Sequence, residues 1–282
     1  MIDPVSAALA LEGVSCAFAS GGESGPDYVA VQDVNLAVAP GEFVCVVGPT
    51  GCGKSTLLNV GAGLLAPSGG RVRVFGQPLA GINRRAGYMF QAESLMPWKT
   101  ALGNVMAGLI FRAAPRRQAE QQARDWLARV GLAGFEDRYP HQLSGGMRKR
   151  VAMAQTLILD PDIILMDEPF SALDVQTRQL MENELLDLWA APSRQGAGQG
   201  RAVLFITHDL DEAIALSDRV VVLSAGPATH PIGQFTIDLP RPRNVAEIRD
   251  QRRFTELHAQ IWTVLREEVL KGYDQRKRRA DA

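Results

Sequence analysis

Short apolar runs recur along the chain, separated by amphipathic segments and by turns rich in glycine and proline. Runs that are apolar at every position are typical of strands buried on both faces. The chain contains four such runs, at 43–47, 163–166, 203–206 and 220–223. Three further stretches predict strands at 9–18, 31–38 and 71–75, the last two because apolar and polar residues alternate.

Helical periodicity fills much of the remainder. It predicts helices at 54–65, 118–130, 175–190 and 209–217, and a last helix from Asn244 that buries Leu257, Ile261, Leu265 and Val269. Strands that alternate with helices predict an α/β fold, in which a parallel sheet is covered on both sides. We interpret 102–134 as a helical insertion, 20–26 and 191–200 as loops, and 276–279 as a solvated basic end.

Composition changes this picture little. With 282 residues, 46% apolar and 22% charged, the chain can bury a full core and is ordinary for a globular protein. A net charge of −1 gives no general attraction to nucleic acid or anionic lipid. No run approaches the roughly 18 apolar residues of a membrane span, and no signal segment is evident. Cys16, Cys45 and Cys52 form no metal or disulfide pattern, which predicts reduced thiols.

A glycine-rich segment after the first fully apolar run carries the strongest chemical signal. It consists of Gly48, Pro49, Thr50, Gly51, Cys52, Gly53, Lys54, Ser55 and Thr56, which fits the pattern G-x-x-x-x-G-K-[ST]. Glycines let backbone N–H groups surround a polyphosphate, and the following helix start adds free donors. Lys54 would reach the β- and γ-phosphates, and the Ser55 hydroxyl would ligate Mg²⁺. We predict a nucleoside-triphosphate site, whose entry an alkylated Cys52 would block.

Two acidic residues, Asp167 and Glu168, directly follow the apolar run at 163–166. In a chain with a phosphate loop, this placement predicts that Asp167 holds Mg²⁺. Glu168 is then the candidate general base that polarises the attacking water. His208 also follows an apolar run, and ligands of open α/β sheets bind at such strand ends. A purely structural role for this histidine stays open.

A second candidate anion site lies at Leu143, Ser144, Gly145, Gly146 and Met147. Ser144 is placed to cap a helix whose first turn is bare backbone, without a lysine of its own. Taken alone, the segment is equally compatible with a plain turn. A second anion site is useful if it serves a nucleotide held by another copy of the chain.

In this order and spacing, the motifs resemble those of the ATP-binding-cassette (ABC) ATPases over about residues 9–223. The segments resemble the Walker A loop at 48–55, the signature sequence at 143–147, the Walker B strand at 163–168 and the D-loop at 171–174. By the same resemblance, Gln91 is the metal- and water-sensing glutamine and His208 is the switch histidine. Phe18 matches the aromatic residue that stacks on adenine, with Tyr28 as the alternative.

The resemblance implies a P-loop NTPase cassette of the α/β class. It would have a mostly parallel core sheet, an N-terminal antiparallel β subdomain and a helical subdomain at about 92–160 that carries the signature. The cassette would span 1–243, followed by an amphipathic helix and basic tail at 244–282. Two chains, most simply a homodimer, would bury two ATP molecules with Mg²⁺ between the Walker A loop of one and the signature of the other.

Site roles follow from the same resemblance. The residues that would act in hydrolysis are Glu168, His208, Gln91 and Lys54. Those that would lie at the metal are Ser55, Gln91 and Asp167. Those that would bind ATP are Phe18, Gly48 to Thr56, Ser144, Gly145, Gly146 and Met147. Departures from the common family pattern occur at Met147, Lys149, Gln155 and Gly61. None removes a group needed for hydrolysis, so we expect an active ATPase.

Several segments are similar to the importer branch that serves nitrate, sulfonates, taurine and related solutes, namely 95–98, 138–148, 167–174 and 239–243. This similarity implies an integral-membrane permease, whose coupling helix would occupy a groove formed by 92–105 and the helical insertion. It also implies a periplasmic solute-binding protein. The ATPase would then lie on the cytoplasmic face of the inner membrane.

Two other classes of protein share a phosphate loop. A GTPase would carry an Asn-Lys-x-Asp segment, and the chain has no Asn-Lys dipeptide; a small-molecule kinase would need an acceptor pocket. A soluble non-transport cassette that acts on DNA or ribosomes would typically carry coiled-coil insertions or a second cassette, and no heptad run occurs. We therefore expect no nucleic-acid partner.

Overall fold

A computed structural model of the chain describes residues 6–19, 27–92, 94–171, 173–191 and 200–280. The predicted loop at 20–26, the interior of the loop at 191–200 and Ala172 of the D-loop lie outside the described residues. The side chains of Arg276, Arg278 and Arg279 in the predicted basic end do so as well.

The described residues form ten strands and eight α-helices. The strands are β1 (Leu9–Phe18), β2 (Tyr28–Val38), β3 (Phe43–Val47), β4 (Gly69–Val74), β5 (Gln77–Pro78), β6 (Ala86–Met89), β7 (Ile163–Asp167), β8 (Ala202–Ile206), β9 (Arg219–Leu223) and β10 (Pro231–Thr236). The helices are α1 (Lys54–Gly61), α2 (Ala101–Phe111), α3 (Arg116–Arg129), α4 (Gly145–Leu157), α5 (Val175–Ala190), α6 (Leu210–Leu216), α7 (Val245–Ile248) and α8 (Arg252–Ala280).

The strands are divided between a large and a small sheet. The large sheet has the order β10-β9-β3-β8-β7-β6, with parallel pairing from β9 to β6 and an antiparallel β10 at the edge. The small sheet has the order β2-β1-β4-β5 and is antiparallel. The predicted α/β class, with a mostly parallel core sheet and an N-terminal antiparallel unit, is confirmed.

The central strands of the large sheet separate two hydrophobic cores. In β3, Phe43, Cys45 and Val47 pack into the core that contains residues of α2 to α8, whereas Val44 and Val46 pack with α1 and the small sheet. Burial on both faces explains why these strands are apolar at every position. Because β3, β7 and β8 are parallel, their carboxyl ends lie at one edge, where ligands bind in open α/β sheets.

Two predicted helices differ from the observed ones. The helix predicted at 54–65 ends at Gly61, because the chain turns at Gly63 with a left-handed φ of 71°. The single helix predicted from Asn244 is two, since α7 ends at Ile248 before α8 begins. Within the described residues, no helix is long and apolar enough to cross a membrane.

The last helix, α8, packs against the edge of the large sheet and reaches the phosphate loop. Leu257, Ile261 and Leu265 are buried as predicted, but Val269 is exposed. The neighbouring Glu268 is buried instead, where its Oε2 accepts a hydrogen bond of 2.7 Å from the N–H of Ala225. One turn further, Gly272 lies against Pro49 of the phosphate loop.

Candidate active site

The phosphate loop connects β3 to α1 at the carboxyl edge of the large sheet. Gly53 precedes α1 with a φ of 101°, and a Cβ atom there would lie 2.8 Å from Cγ1 of Val31. No side chain caps the start of α1. The first N–H groups of this helix are therefore available to bind an anion.

Lys54 is held at the centre of the loop. Its Nζ donates hydrogen bonds to the backbone oxygens of Gly48, at 2.9 Å, and Pro49, at 3.1 Å. The residue is only 6% exposed, so the cation lies under the loop rather than in bulk water. An anion bound in the loop would meet both this ammonium group and the N–H donors of α1.

Glu168 follows β7, where two residues from distant parts of the chain hold its carboxylate. Gln91 Nε2 donates to Glu168 Oε2 at 3.1 Å, and His208 Nδ1 lies 3.0 Å from the same oxygen. Glu168 also has a left-handed φ of 41°, which costs a non-glycine residue roughly 1–3 kcal/mol. Its own N–H compensates in part, because it donates to Ile206 O at 2.9 Å.

One cavity of about 470 Å³ gathers most of the predicted catalytic residues. Its lining consists of Thr50, Gly51, Gly53, Lys54, Ser55, Thr56, Gln91, Glu168 and His208. The structure therefore brings the phosphate loop, the candidate base, the glutamine and the histidine to one place. The distances of 3.1 Å and 3.0 Å to Glu168 Oε2 connect Gln91, Glu168 and His208 into one group.

Asp167 lies beside the cavity and is 8% exposed. Burial raises the pKa of its carboxyl group, and a hydrogen bond from the Ser55 side chain acts in the opposite direction. A hydroxyl, a carboxylate and the Gln91 amide are oxygen donors of the kind that Mg²⁺ prefers. Among the described residues, no group of three or more His, Cys, Asp and Glu is arranged so that it could hold a metal ion.

The signature residues and the predicted adenine-stacking residue lie elsewhere. Ser144 is exposed and caps α4, with its Oγ accepting from the Met147 N–H at 3.3 Å. Phe18 and Tyr28 are directly paired across β1 and β2 and are 41% and 39% exposed. None of these residues lines the 470 Å³ cavity.

Cys52 is buried within the phosphate loop. The residue is 2% exposed, and burial raises the pKa of its thiol. A neutral, buried thiol is a poor nucleophile. Alkylation of Cys52 should therefore be slow in the folded chain, and the expectation that an alkylated Cys52 would block nucleotide entry stays a prediction.

The segment after His208 is anchored to the helix that follows the D-loop. Asp209 caps α6 by accepting from the N–H groups of Asp211 and Glu212, and its Oδ2 pairs with Arg178 of α5 at 3.0 Å. Sequence reasoning missed this ion pair. The available signal was an Asp immediately before an amphipathic helix, which is a typical N-cap.

Fold and cavity together define a P-loop ATPase cassette. The chain belongs to the ABC transporter family, whose model matches residues 31–171. It is 46% identical to an uncharacterised ABC transporter ATP-binding protein of Methanocaldococcus jannaschii, over 86% of each chain. It is also 42% identical to the nitrate import ATP-binding protein NrtD of Synechococcus elongatus, over 83% of each chain.

Two further comparisons concern another import ATP-binding protein and a solved structure. The taurine import ATP-binding protein TauB of Yersinia pestis is 44% identical over 70% of this chain and 75% of the relative. An ATP-binding cassette solved as a dimer with ADP and Pi superposes with a TM-score of 0.70 and 31% identity, covering 82% of this chain and all of the other. The chain is thus an ABC ATPase that binds ATP.

Proposed function

We propose that this protein is the ATP-hydrolysing subunit of an importer for a small solute such as nitrate, a sulfonate or taurine. The hydrolytic part is supported by the cavity that gathers Lys54, Gln91, Glu168 and His208. The transport part is supported by relatives that import taurine and nitrate.

In this proposal the chain's own groups divide the work of hydrolysis. Lys54 and the N–H groups of α1 hold the phosphates, and Ser55, Asp167 and Gln91 supply the oxygen ligands for Mg²⁺. The bound Mg²⁺ would neutralise charge on the phosphates. Glu168 orients and deprotonates the attacking water, while Gln91 and His208 keep its carboxylate in place.

The active form is a head-to-tail dimer in this proposal. The signature end of α4, at Ser144 and Gly145, is exposed and does not line the cavity of its own chain. An exposed, glycine-rich helix start suits the phosphates of a nucleotide bound to a second copy. A two-fold axis would then complete both sites at once, and a structural neighbour was solved as a dimer bound to ADP and Pi.

Mixing two inactive variants tests the dimer. Lys54→Ala removes the phosphate-binding cation, and Ser144→Arg blocks the signature surface, so each homodimer is expected to be inactive. In a 1:1 mixture, half of the dimers are heterodimers with one intact composite site. About a quarter of the wild-type ATPase rate should therefore return if the two sites act independently. No recovery at any mixing ratio would contradict the shared site.

A membrane partner is supported by the surface around α2. The segment that carries Gln91 continues to Trp98 and α2, which ends at Phe111. Trp98 and Phe111 are 73% and 79% exposed, the highest values among the large apolar side chains of the described residues. Contiguous exposed apolar surface marks interaction sites, and Trp98 and Phe111 lie just before the start and at the end of α2. We assign this surface to the coupling segment of an inner-membrane permease, which places the ATPase on the cytoplasmic membrane face.

Affinity capture from detergent-solubilised membranes tests this partner. The tagged chain should retain an integral-membrane protein, and Phe111→Asp should lose it while keeping the thermal stability of the wild type. Capture of ribosomal proteins or DNA instead, equally by both variants, would contradict the importer and favour a non-transport cassette. A periplasmic binding protein that belongs to the captured permease can then be screened by thermal shift against nitrate, taurine and alkanesulfonates.

A further inference from the structure

The ammonium group of Lys149 is buried at the junction between α4 and the segment that follows β6. The residue is 3% exposed, and its Nζ donates a hydrogen bond of 2.7 Å to the backbone oxygen of Gln91. Burying an ammonium group costs several kcal/mol unless polar groups replace the lost water. The partner gained here is the carbonyl of the same glutamine whose side chain holds Glu168.

The two neighbouring basic residues of α4 make different contacts. Arg148 donates to Leu143 O at 2.8 Å, and Arg150 donates to Val130 O at 3.4 Å. Arg150 also pairs with Glu184 of α5 at 3.7 Å, and none of these three partners lines the catalytic cavity. Lys149, by contrast, contacts a residue that lines the catalytic cavity. Among the contacts described for these three residues, the one from Lys149 to Gln91 connects α4 to the residue that holds Glu168.

A second contact fixes α4 to β6 itself. Gly87 lies so close to α4 that a Cβ atom there would be 2.8 Å from Cγ2 of Thr156. Thr156 and Lys149 are about two helical turns, or about 10 Å, apart along α4. They contact Gly87 and Gln91, which are four positions apart in the neighbouring chain segment. With contacts at both points, α4 and the segment that ends at Gln91 form one mechanical unit.

We propose that Lys149 is a positioning residue, which fixes the backbone of Gln91 to α4 so that this helix sets the position of the glutamine side chain on Glu168. The contacts run from Lys149 Nζ to Gln91 O, at 2.7 Å, and from Gln91 Nε2 to Glu168 Oε2, at 3.1 Å. A shift of α4 therefore shifts the group that orients the candidate base.

The contact between Lys149 and Gln91 would let the two nucleotide sites of a dimer communicate. This part of the inference rests on the proposed dimer and on the proposed roles of Gln91 and Glu168. Ser144 caps the start of α4 and would contact the nucleotide held by the partner. Lys149 lies about one turn further along the same helix. Nucleotide at the partner's loop would thus act through α4 and Lys149 on the base of this chain.

Steady-state ATPase kinetics of the full chain test the role of Lys149. Lys149→Met keeps the length and apolar stem but removes the donor, which should lower kcat by roughly tenfold or more. The affinity for ATP, measured by equilibrium binding in a Glu168→Gln background, should change less than twofold. Lys149→Arg retains a cationic donor and should recover part of the rate.

A double-mutant cycle separates positioning from a general structural role. If Lys149 acts through Gln91, then adding Lys149→Met to Gln91→Ala should cost little further kcat. Arg112→Met serves as the matched control, because Arg112 also donates to a backbone oxygen, that of Leu159 at 3.2 Å, away from the cavity. This control should keep kcat within twofold of the wild type.

Hydrogen exchange supplies a readout that does not require turnover. In Lys149→Met, the amides of 87–98 should exchange faster, with the remainder of the large sheet unchanged. Unchanged exchange there, an unchanged kcat, or fully additive losses in the cycle would each overturn the inference. If Gln91→Ala itself leaves kcat intact, the proposed role of Gln91 is wrong and the inference falls with it. If Gln91→Ala lowers kcat and Lys149→Met does not, the inference alone is wrong.

Discussion

Glu182 and Glu212 form a buried acidic pair behind the active site, and their protonation makes stability depend on pH. Glu182 of α5 is fully buried and Glu212 of α6 is 4% exposed. Burial raises the pKa of Glu182 to about 7 and that of Glu212 to about 8. Within the described residues, neither carboxylate oxygen of Glu182 has a hydrogen-bond partner. The perturbation we consider is Glu182→Gln, which keeps the size of the side chain but cannot ionise.

The sign and size of the effect follow from proton linkage. As the pH rises above the ordinary glutamate value of 4.5, the unfolded chain releases the proton of Glu182 first, whereas the folded chain keeps it until about pH 7. The wild type is therefore most favoured at low pH, and it loses about 1.4 kcal/mol of unfolding free energy per pH unit in this window for each retained proton. Glutamine removes that loss. Glu212 titrates in both proteins, and its pKa is lower in Glu182→Gln because the charge of Glu182 is one of the causes that raise it, so the variant also reduces the contribution of Glu212 to the loss.

Thermal unfolding between pH 5 and 8 measures the difference. From pH 5.5 to 6.5, the melting temperature of the wild type should fall by roughly 3 °C relative to Glu182→Gln. Glu267→Gln, on the exposed side of α8, is the matched control and should run parallel to the wild type. A constant difference between the wild type and Glu182→Gln across this range would show that the folded pair holds no extra proton.

Three further outcomes are expected. Glu168→Gln should lower kcat by about 10²–10⁴-fold while ATP still binds, and undiminished phosphate release would refute its role as base. Phe170→Ala, at a fully buried ring, should lower the free energy of unfolding by about 3–5 kcal/mol, whereas Phe111→Ala at the surface should change it by less than about 0.5 kcal/mol. Urea titrations that give similar losses for the two variants would contradict the burial of Phe170. The buried thiol of Cys52 should resist iodoacetamide in the folded chain and react after unfolding in urea, and mass spectrometry that finds rapid native labelling would argue against this.

The parts of the fold that the sequence predicts well are those with a strong local pattern. The buried strands β3, β7, β8 and β9 and the helix α5 are found where apolar runs and helical periodicity indicate them. The short β6 contains Gly87 and has four residues, and β10 begins with Pro231 and includes Gly233, so neither resembles an ordinary strand. Helix α2 is apolar nearly all round, because one side packs inside while Ile110 and Phe111 are exposed, and it therefore lacks an amphipathic period.

The candidate site likewise contains features that local sequence patterns predict and features that they do not. The phosphate loop, Asp167, Glu168 and His208 are predictable, because each follows a strand and carries the residue types that phosphate chemistry needs. The contact between Lys149 and Gln91 joins residues 58 positions apart, and no local pattern reports it. The buried pair Glu182 and Glu212 is hidden for a similar reason, since two glutamates on amphipathic helices are ordinarily solvent-exposed.

The contact between the last helix and the phosphate loop has a consequence for stability engineering. A glycine inside a helix costs about 1 kcal/mol relative to alanine, so Gly272 of α8 is an obvious target for a stabilising substitution. The added methyl group, however, would lie 3.3 Å from Cβ of Pro49, which is closer than such atoms normally pack. Helix propensity and the close approach of the phosphate loop therefore favour different residues at position 272, and the sign of the stability change for Gly272→Ala is decided by whether Pro49 can move by a few tenths of an ångström.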